Sequence, residues 1–458
     1  MVNYDAIIIG TGQGGPALAR RLVAAGWKVA IIERKLFGGT CVNTGCTPTK
    51  ALIASAYAAH VARCAADWGV KVEGAVNVDM KAVKARKDAV VASSRNGVER
   101  SLKTLEGCTV YEGHGHFIAE KRVAVNGSEL AADRIFINVG GRAAIPPIPG
   151  LDRVPYLTNS SMMDVDFLPS HLIILGGSYV DLEFAQMYRR FGSEVTVLEL
   201  GSNVIPREDR DVSQAVAAFL KEEGIDVRVD SKVVGVDKER NSIAVKVESA
   251  GKISQVVGTH VLVAIGRQPN TDDLGLDQAG IASDGRGYIQ VDDQLRTNVP
   301  GIWAMGDCNG RGAFTHTSWN DFEIVAANLL DNDHRRVSDR IAAYALFTDP
   351  PLGRAGMTEA EVRKTGRPAL ISTKAMEDVS RAYEKGETKG FMKILVDQDS
   401  KQILGASFLG LAGDEVVHCI LDLMYAKAPC TVLQRAMHIH PTVSEFLPTM
   451  MGDLVPLQ

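Results

Sequence analysis

One pattern occurs twice in this chain and limits what it can fold into. In YDAIIIGTGQGG a short apolar strand turns into glycines, and KVAIIE is a second strand ending in Glu33. HLIILGGSYVD and EVTVLE, ending in Glu199, repeat the arrangement. Glu33 lies 23 residues after Gly10, and Glu199 lies 23 after Gly176. A buried strand, a glycine turn opening a helix, and a second strand closed by an acid form the unit that holds a dinucleotide. Two such units predict an α/β chain with two doubly wound, Rossmann-like dinucleotide-binding domains.

The first unit fills the G-x-G-x-x-G pattern with Gly10, Gly12 and Gly15. Those glycines allow a tight turn, close approach of backbone to a diphosphate, and close helix–strand packing, and Glu33 is placed for a ribose hydroxyl. The second unit departs from the pattern. Gly176 is kept, but Ser178 stands at the second glycine and Asp181 at the third. The Ser178 hydroxyl can donate to phosphate, whereas a carboxylate at Asp181 in the first helical turn opposes a diphosphate anion. Glu199, with no arginine after it until Arg207, suits a free ribose hydroxyl and so NADH over NADPH. NAD(H) is therefore expected at Gly176, Ser178, Tyr179, Glu199 and Gly266, with binding weakened by Asp181.

RIFINVGG and HVLVAIG read as strands closing each unit at a glycine, GIWAMGD as another, and PPIPG as a linker. From about Tyr344 the texture changes: GFMKILVD and ILGASFLG read as antiparallel strands, followed by a helix over 414–426. The expected segments are 1–149 and 269–343 around the first nucleotide unit, 150–268 for the second, and 344–458 as a separate α+β domain. With 50 basic and 55 acidic residues and no long run of one sign, nothing points to nucleic acid or an anionic membrane. No apolar stretch approaches the ~20 residues of a membrane span, and a cytoplasmic location is the default.

Seven cysteines are too few for a secreted disulfide scaffold. Cys64, Cys108, Cys308, Cys419 and Cys430 are irregularly spaced and read as small buried hydrophobes. Cys41 and Cys46, in GGTCVNTGCTPTK, differ. Five residues of regular helix rise ~7.5 Å, beyond the ~7 Å limit between bridged Cα atoms, so pairing needs a break, which Gly45 and Pro48 are expected to supply. ALIASAYAAHVARCAADW then reads as helix, placing Cys46 near a helix N-terminus that favours a thiolate. A zinc site lacks two further ligands in a recognisable motif, and inert packing explains neither the glycines nor Lys50. A redox pair is the preferred reading, and no metal site is expected.

GTGQGG, GGTCVNTGCTPTK, AIGRQPN, TNVPGIWAMGD and HIHPTVSE together span the chain and resemble the class I pyridine nucleotide-disulfide oxidoreductases, in wording closest to the dihydrolipoamide dehydrogenase and mercuric reductase-like branch. The resemblance implies FAD in the first unit, at Gly10, Gly12, Gly15, Glu33, Gly39, Thr40, Lys50 and Gly140, with Asp307 on the ribitol and Lys50 near flavin N5, paired with Glu183. It implies that Cys46 forms the thiolate against the flavin while Cys41 exchanges with substrate. His440, five residues before Glu445, matches the family's acid–base dyad, with His438 in support. That dyad acts on a partner subunit's disulfide, so 344–458 is expected to be a dimerisation domain of a homodimer. The activity implied is FAD-dependent dithiol–disulfide exchange, with a small or protein-bound, lipoyl-type disulfide as one substrate. A mercuric-type reductase is disfavoured by the lack of cysteine after Cys430, and a non-catalytic flavoprotein scaffold by the intact motifs.

Overall fold

The computed structural model describes residues 1–458. Val2–Ile9 is the middle of a parallel layer, with Val29–Glu33 on one side and Ser128–Ile137 on the other. Cys108–Glu112 extends one edge and Ile302–Ala304 pairs in parallel with Ile135, Phe136 and Ile137 at the other. Successive side chains of a strand face opposite ways, and here both faces are covered. Ile7, Ile9, Ile32 and Ile135 join one apolar cluster, while Ala6, Ile8, Ile31 and Phe136 join another with Leu18 and Leu22 of helix Gly14–Ala24. This explains why the strands read as unbroken apolar runs rather than as alternation. Each fully buried isoleucine contributes roughly 1.5–3 kcal/mol.

The chain leaves Val2–Ile9 towards one neighbour and later returns on the other side, so the glycine loop after Ile9 opens at the point where strand order reverses. Ligands of open α/β sheets bind at such points.

The second repeat has the same build. Asp226–Arg228, Glu194–Leu198, His171–Leu175 and His260–Val263 lie side by side, with Ile174 opposite Val197. Helix Tyr179–Phe191 follows the glycine turn. Beyond it Lys232–Glu239, Ser242–Ser249 and Lys252–Gly258 form an antiparallel three-stranded sheet that the sequence pattern had not suggested. In the C-terminal segment Phe391–Asp397 pairs antiparallel with Ile403–Leu409, as expected, within a six-stranded sheet. Helix Gly413–Tyr425 places Val416, Val417 and Ile420 in one core with Ile394 and Phe408.

Packing groups the chain into two units: Met1–Pro146 with Leu157–Leu168 and Val263–Arg340, and Pro147–Tyr156 with Pro169–Leu262 and Ile341–Gln458. Within the second unit a buried ion network ties the nucleotide-unit segment to the C-terminal sheet. Arg354 pairs with Glu208, Tyr344 donates to Glu208, and Lys393 reaches Asp209 at 3.3 Å and Asp211 at 2.7 Å.

Candidate active site

The two thiols sit on consecutive helices. Gly39–Asn43 carries Cys41, and Cys46–Arg63 starts at Cys46. The break falls at Thr44 and Gly45. A Cβ on Gly45 would meet Thr40 O at 2.9 Å and Cys41 Cα at 3.3 Å, so a side chain there is excluded by the backbone carrying Cys41. Pro48, expected to help break the helix, lies inside its first turn instead. A first-turn amide has no helical acceptor, so proline costs nothing there.

Neither cysteine is in a disulfide here; Cys41 is half-buried and Cys46 exposed. A hydrogen bond from its partner Cys46, then burial, hold the Cys41 thiol well above the ordinary thiol range. Cys46 Sγ lies 3.1 Å from Thr315 Oγ1, at the start of helix Thr315–Leu330. A single negative charge on the pair therefore has a hydroxyl donor and a helix N-terminus at Cys46, while Cys41 keeps its proton. Of the other cysteines Cys308 and Cys430 are buried, as expected; Cys64, Cys108 and Cys419 are only half-buried.

The first glycine loop is built for close backbone approach. A Cβ on Gly15 would lie 2.4 Å from Gly10 O, and one on Gly39 would lie 2.9 Å from Gly12 Cα. The Gly15 amide donates to Asn138 Oδ1 at 3.0 Å, and Asn138 Nδ2 donates to Met305 O at 2.9 Å. Glu33 ends its strand accepting from the Thr11 amide at 3.1 Å and the Lys35 amide at 2.8 Å. Gly140 has φ +65° with open space where a Cβ would be. Asp307 accepts from Arg267 Nε at 3.1 Å, and burial pushes its carboxyl upward against that cation. Thr40 lies beside Cys41 in its helix, and Lys50 is half-buried one turn after Cys46. A side-chain-free loop at a helix start, an acid at the next strand's end and a half-buried carboxyl could meet a dinucleotide's diphosphate and hydroxyls.

In the second unit Gly176 has φ +118° and Ser178 caps helix Tyr179–Phe191. Asp181 lies in the first turn of that helix, as expected; it is folded under the loop with no exposed surface, and accepts from the Ser178 amide at 2.8 Å. Burial raises its carboxyl well above the usual range. Glu199 closes its strand with Oε1 accepting from the Gly201 amide at 2.6 Å. Tyr179 stacks edge-on to Tyr344, and Gly266 accepts from the Ala144 amide at 3.0 Å. Glu183, buried, accepts from the Phe347 amide at 3.1 Å.

His440 Nδ1 lies 2.8 Å from Glu445 Oε2, with the histidine 75% and the acid 16% exposed. The carboxylate fixes the ring and leaves Nε2 open for proton transfer. His438 is half-buried and its Nδ1 lies 3.2 Å from Ala436 O. Four partners escaped the sequence reading: Thr11, Asn138, Arg267 and Thr315. Arg267 lies in a quoted motif, but nothing local marks Thr315 as the neighbour of Cys46. No group of three or more His, Cys, Asp or Glu is placed to hold a metal ion.

Comparison with known proteins turns these geometries into an identity. The family model for pyridine nucleotide-disulphide oxidoreductase matches residues 4–321, and the model for that family's dimerisation domain matches residues 342–451. The chain belongs to the pyridine nucleotide-disulphide oxidoreductases. It is similar to the probable pyridine nucleotide-disulfide oxidoreductase RclA of Escherichia coli, 37% identical over 98% of each chain. A mercuric reductase of Streptomyces lividans is 33% identical over 97% of this chain and 95% of that one. Among solved structures, the Cu(II) complex of the HOCl-induced flavoprotein disulfide reductase RclA from Escherichia coli matches with a TM-score of 0.90 and 35% identity, covering 99% of each chain. This family member is thus an FAD-dependent enzyme of a family that uses NAD(P)H, with a dimerisation domain. No helix is long and apolar enough to cross a membrane.

Proposed function

We propose that this oxidoreductase exchanges two electrons between NAD(H) and an external disulfide or dithiol, lipoyl-type compounds being the leading class, as a homodimer in the reducing cytoplasm. The observation carrying this is the hydrogen-bonded thiol pair, with the proton held on Cys41 and a hydroxyl and helix start at Cys46. Bound FAD supplies the two-electron link between nicotinamide and thiols. Gly10, Gly12, Gly15, Glu33, Gly39, Thr40, Gly140 and Asp307 would hold it, and Lys50 would set the charge near its reactive edge. Gly176, Ser178, Tyr179 and Glu199 would hold the nicotinamide dinucleotide.

In the reducing direction Cys41, as thiolate, attacks one sulfur of the external disulfide, forming a mixed disulfide and releasing the first thiolate. His440, oriented by Glu445 and acting across the dimer, takes the Cys41 proton and delivers it to that leaving thiolate. Cys46 then attacks Cys41 Sγ, closing the Cys41–Cys46 disulfide and releasing the second thiolate. Two electrons reopen the pair, and each step reverses.

The test is anaerobic titration of the flavoprotein with dithiols and with NADH. Two-electron reduction should give a long-wavelength thiolate–flavin band, absent in Cys46→Ser and present without reductant in Cys41→Ser. An unchanged spectrum in Cys46→Ser would overturn the assignment. Because the solved relative is described as a Cu(II) complex, a metal-ion acceptor is the second reading. Reoxidation of the reduced pair by Cu(II) but by no disulfide would favour it.

A further inference from the structure

The second glycine loop does something the first does not. In the first loop the third glycine, Gly15, leaves no room for a side chain. At the matching place in the second loop the helix admits Asp181, whose carboxyl is wholly buried. Its Oδ2 accepts the Ser178 amide at 2.8 Å. Its Oδ1 has no hydrogen-bond partner and faces the loop, since a Cβ on Gly176 would lie 2.8 Å from it. An amide at the start of a thirteen-residue helix is the donor an incoming diphosphate uses. Here that donor is already turned inward to an acid. Glu199, from the end of the neighbouring strand, packs on the loop's other glycine, with Oε2 2.9 Å from a Cβ placed on Gly177. Its negative charge adds to burial in pushing the Asp181 carboxyl upward.

We propose that Asp181 sets the affinity of this loop for a dinucleotide's diphosphate, by holding the Ser178 amide from inside and placing an unpaired carboxyl oxygen against the loop. The inference rests on the reading of the second unit as the nicotinamide dinucleotide site. An uncharged Asp181 leaves the loop electrostatically open. An ionised one puts an unpaired anion beside a bound diphosphate, with Glu199 already adjacent. Burial favours the uncharged form, so the dinucleotide binds best with the proton in place, and affinity declines as rising pH removes it. The linkage sign is fixed: the bound state retains one more proton than the ionised free state, so Kd rises by up to about tenfold per pH unit above the free protein's titration.

The experiment measures equilibrium binding of NADH to the intact flavoprotein from about pH 6 to about pH 9, with thermal unfolding as a check on the fold. Asp181→Asn keeps the shape and an oxygen for the Ser178 amide but cannot ionise. Asp181→Gly restores the third glycine. The wild-type Kd should rise with pH; Asp181→Asn should be flat, matching wild type at the acid end and binding severalfold more tightly at the alkaline end; Asp181→Gly, which also frees the Ser178 amide, should be flat and bind severalfold more tightly than wild type throughout. The same Kd and the same pH slope in wild type and Asp181→Asn would overturn the proposal. Absence of saturable NADH binding in all three folded proteins would overturn it together with the dinucleotide assignment of this loop, while the dithiol titration described above still judges the thiol chemistry on its own.

Discussion

Gly45→Ala should make the Cys41–Cys46 disulfide easier to reduce. The new Cβ would sit 2.9 Å from Thr40 O and 3.3 Å from Cys41 Cα, against an ordinary limit of 3.4 Å. Both atoms are backbone, so the short helix bearing Cys41 must retreat by about 0.5 Å, an overpacking that costs about 1–3 kcal/mol. In the dithiol state the sulfurs share only a hydrogen bond, and the displacement is absorbed by a softer contact. In the disulfide state a covalent bond ties the two helices together and cannot yield, so most of the cost falls on the oxidised form. Since about 30 mV corresponds to about 1.4 kcal/mol for two electrons, the potential should rise by about 20–60 mV. The assay equilibrates the flavoprotein with graded dithiol–disulfide buffers, traps thiols by alkylation and counts them by mass. A potential within about 10 mV of wild type would show that the break at Gly45 does not govern the pair.

His440→Ala should slow dithiol–disulfide exchange by about 10²-fold or more, while flavin content and NADH-driven flavin reduction are unchanged. Glu445→Gln, which keeps an acceptor for Nδ1, should lose less; stopped-flow exchange with a small disulfide compares them. Arg354→Met should destabilise the second unit by about 3–5 kcal/mol, because its side chain and that of Glu208 are 1% and 0% exposed and the acid is left without its cation. Adding Glu208→Gln should recover much of that loss. All four tryptophans, Trp27, Trp68, Trp303 and Trp319, lie in the first unit, so hydrogen exchange of the Leu352–Gly356 strand is the measurement. Exchange there as slow as wild type would refute it.

What the sequence by itself determined is what short spacings encode. Apolar strands turning at Gly10 and Gly176, acids 23 residues later, cysteines five apart and the His440–Glu445 interval are all local, because strand, turn and helix periodicities act over a few residues. They were enough for the α/β class, the paired nucleotide units and the family's chemistry. The three-stranded sheet over 232–258 was missed because its strands carry polar outward faces, as in Lys252, Ser254 and Gln255 lying exposed, and no glycine motif marks them. Only the tertiary structure decided which groups meet across long separations. Thr315 reaches Cys46 over 269 residues of chain, and Asn138 holds the Gly15 amide over 123. Asp181 illustrates the same limit within one loop: its position in the motif is sequence, but its orientation is packing. A carboxyl three residues into a helix can face a ligand or turn back to the capping amide. The space left under the second loop, absent under the first, drew it inward, and that space is fixed by how helix and sheet pack rather than by any neighbour in the chain.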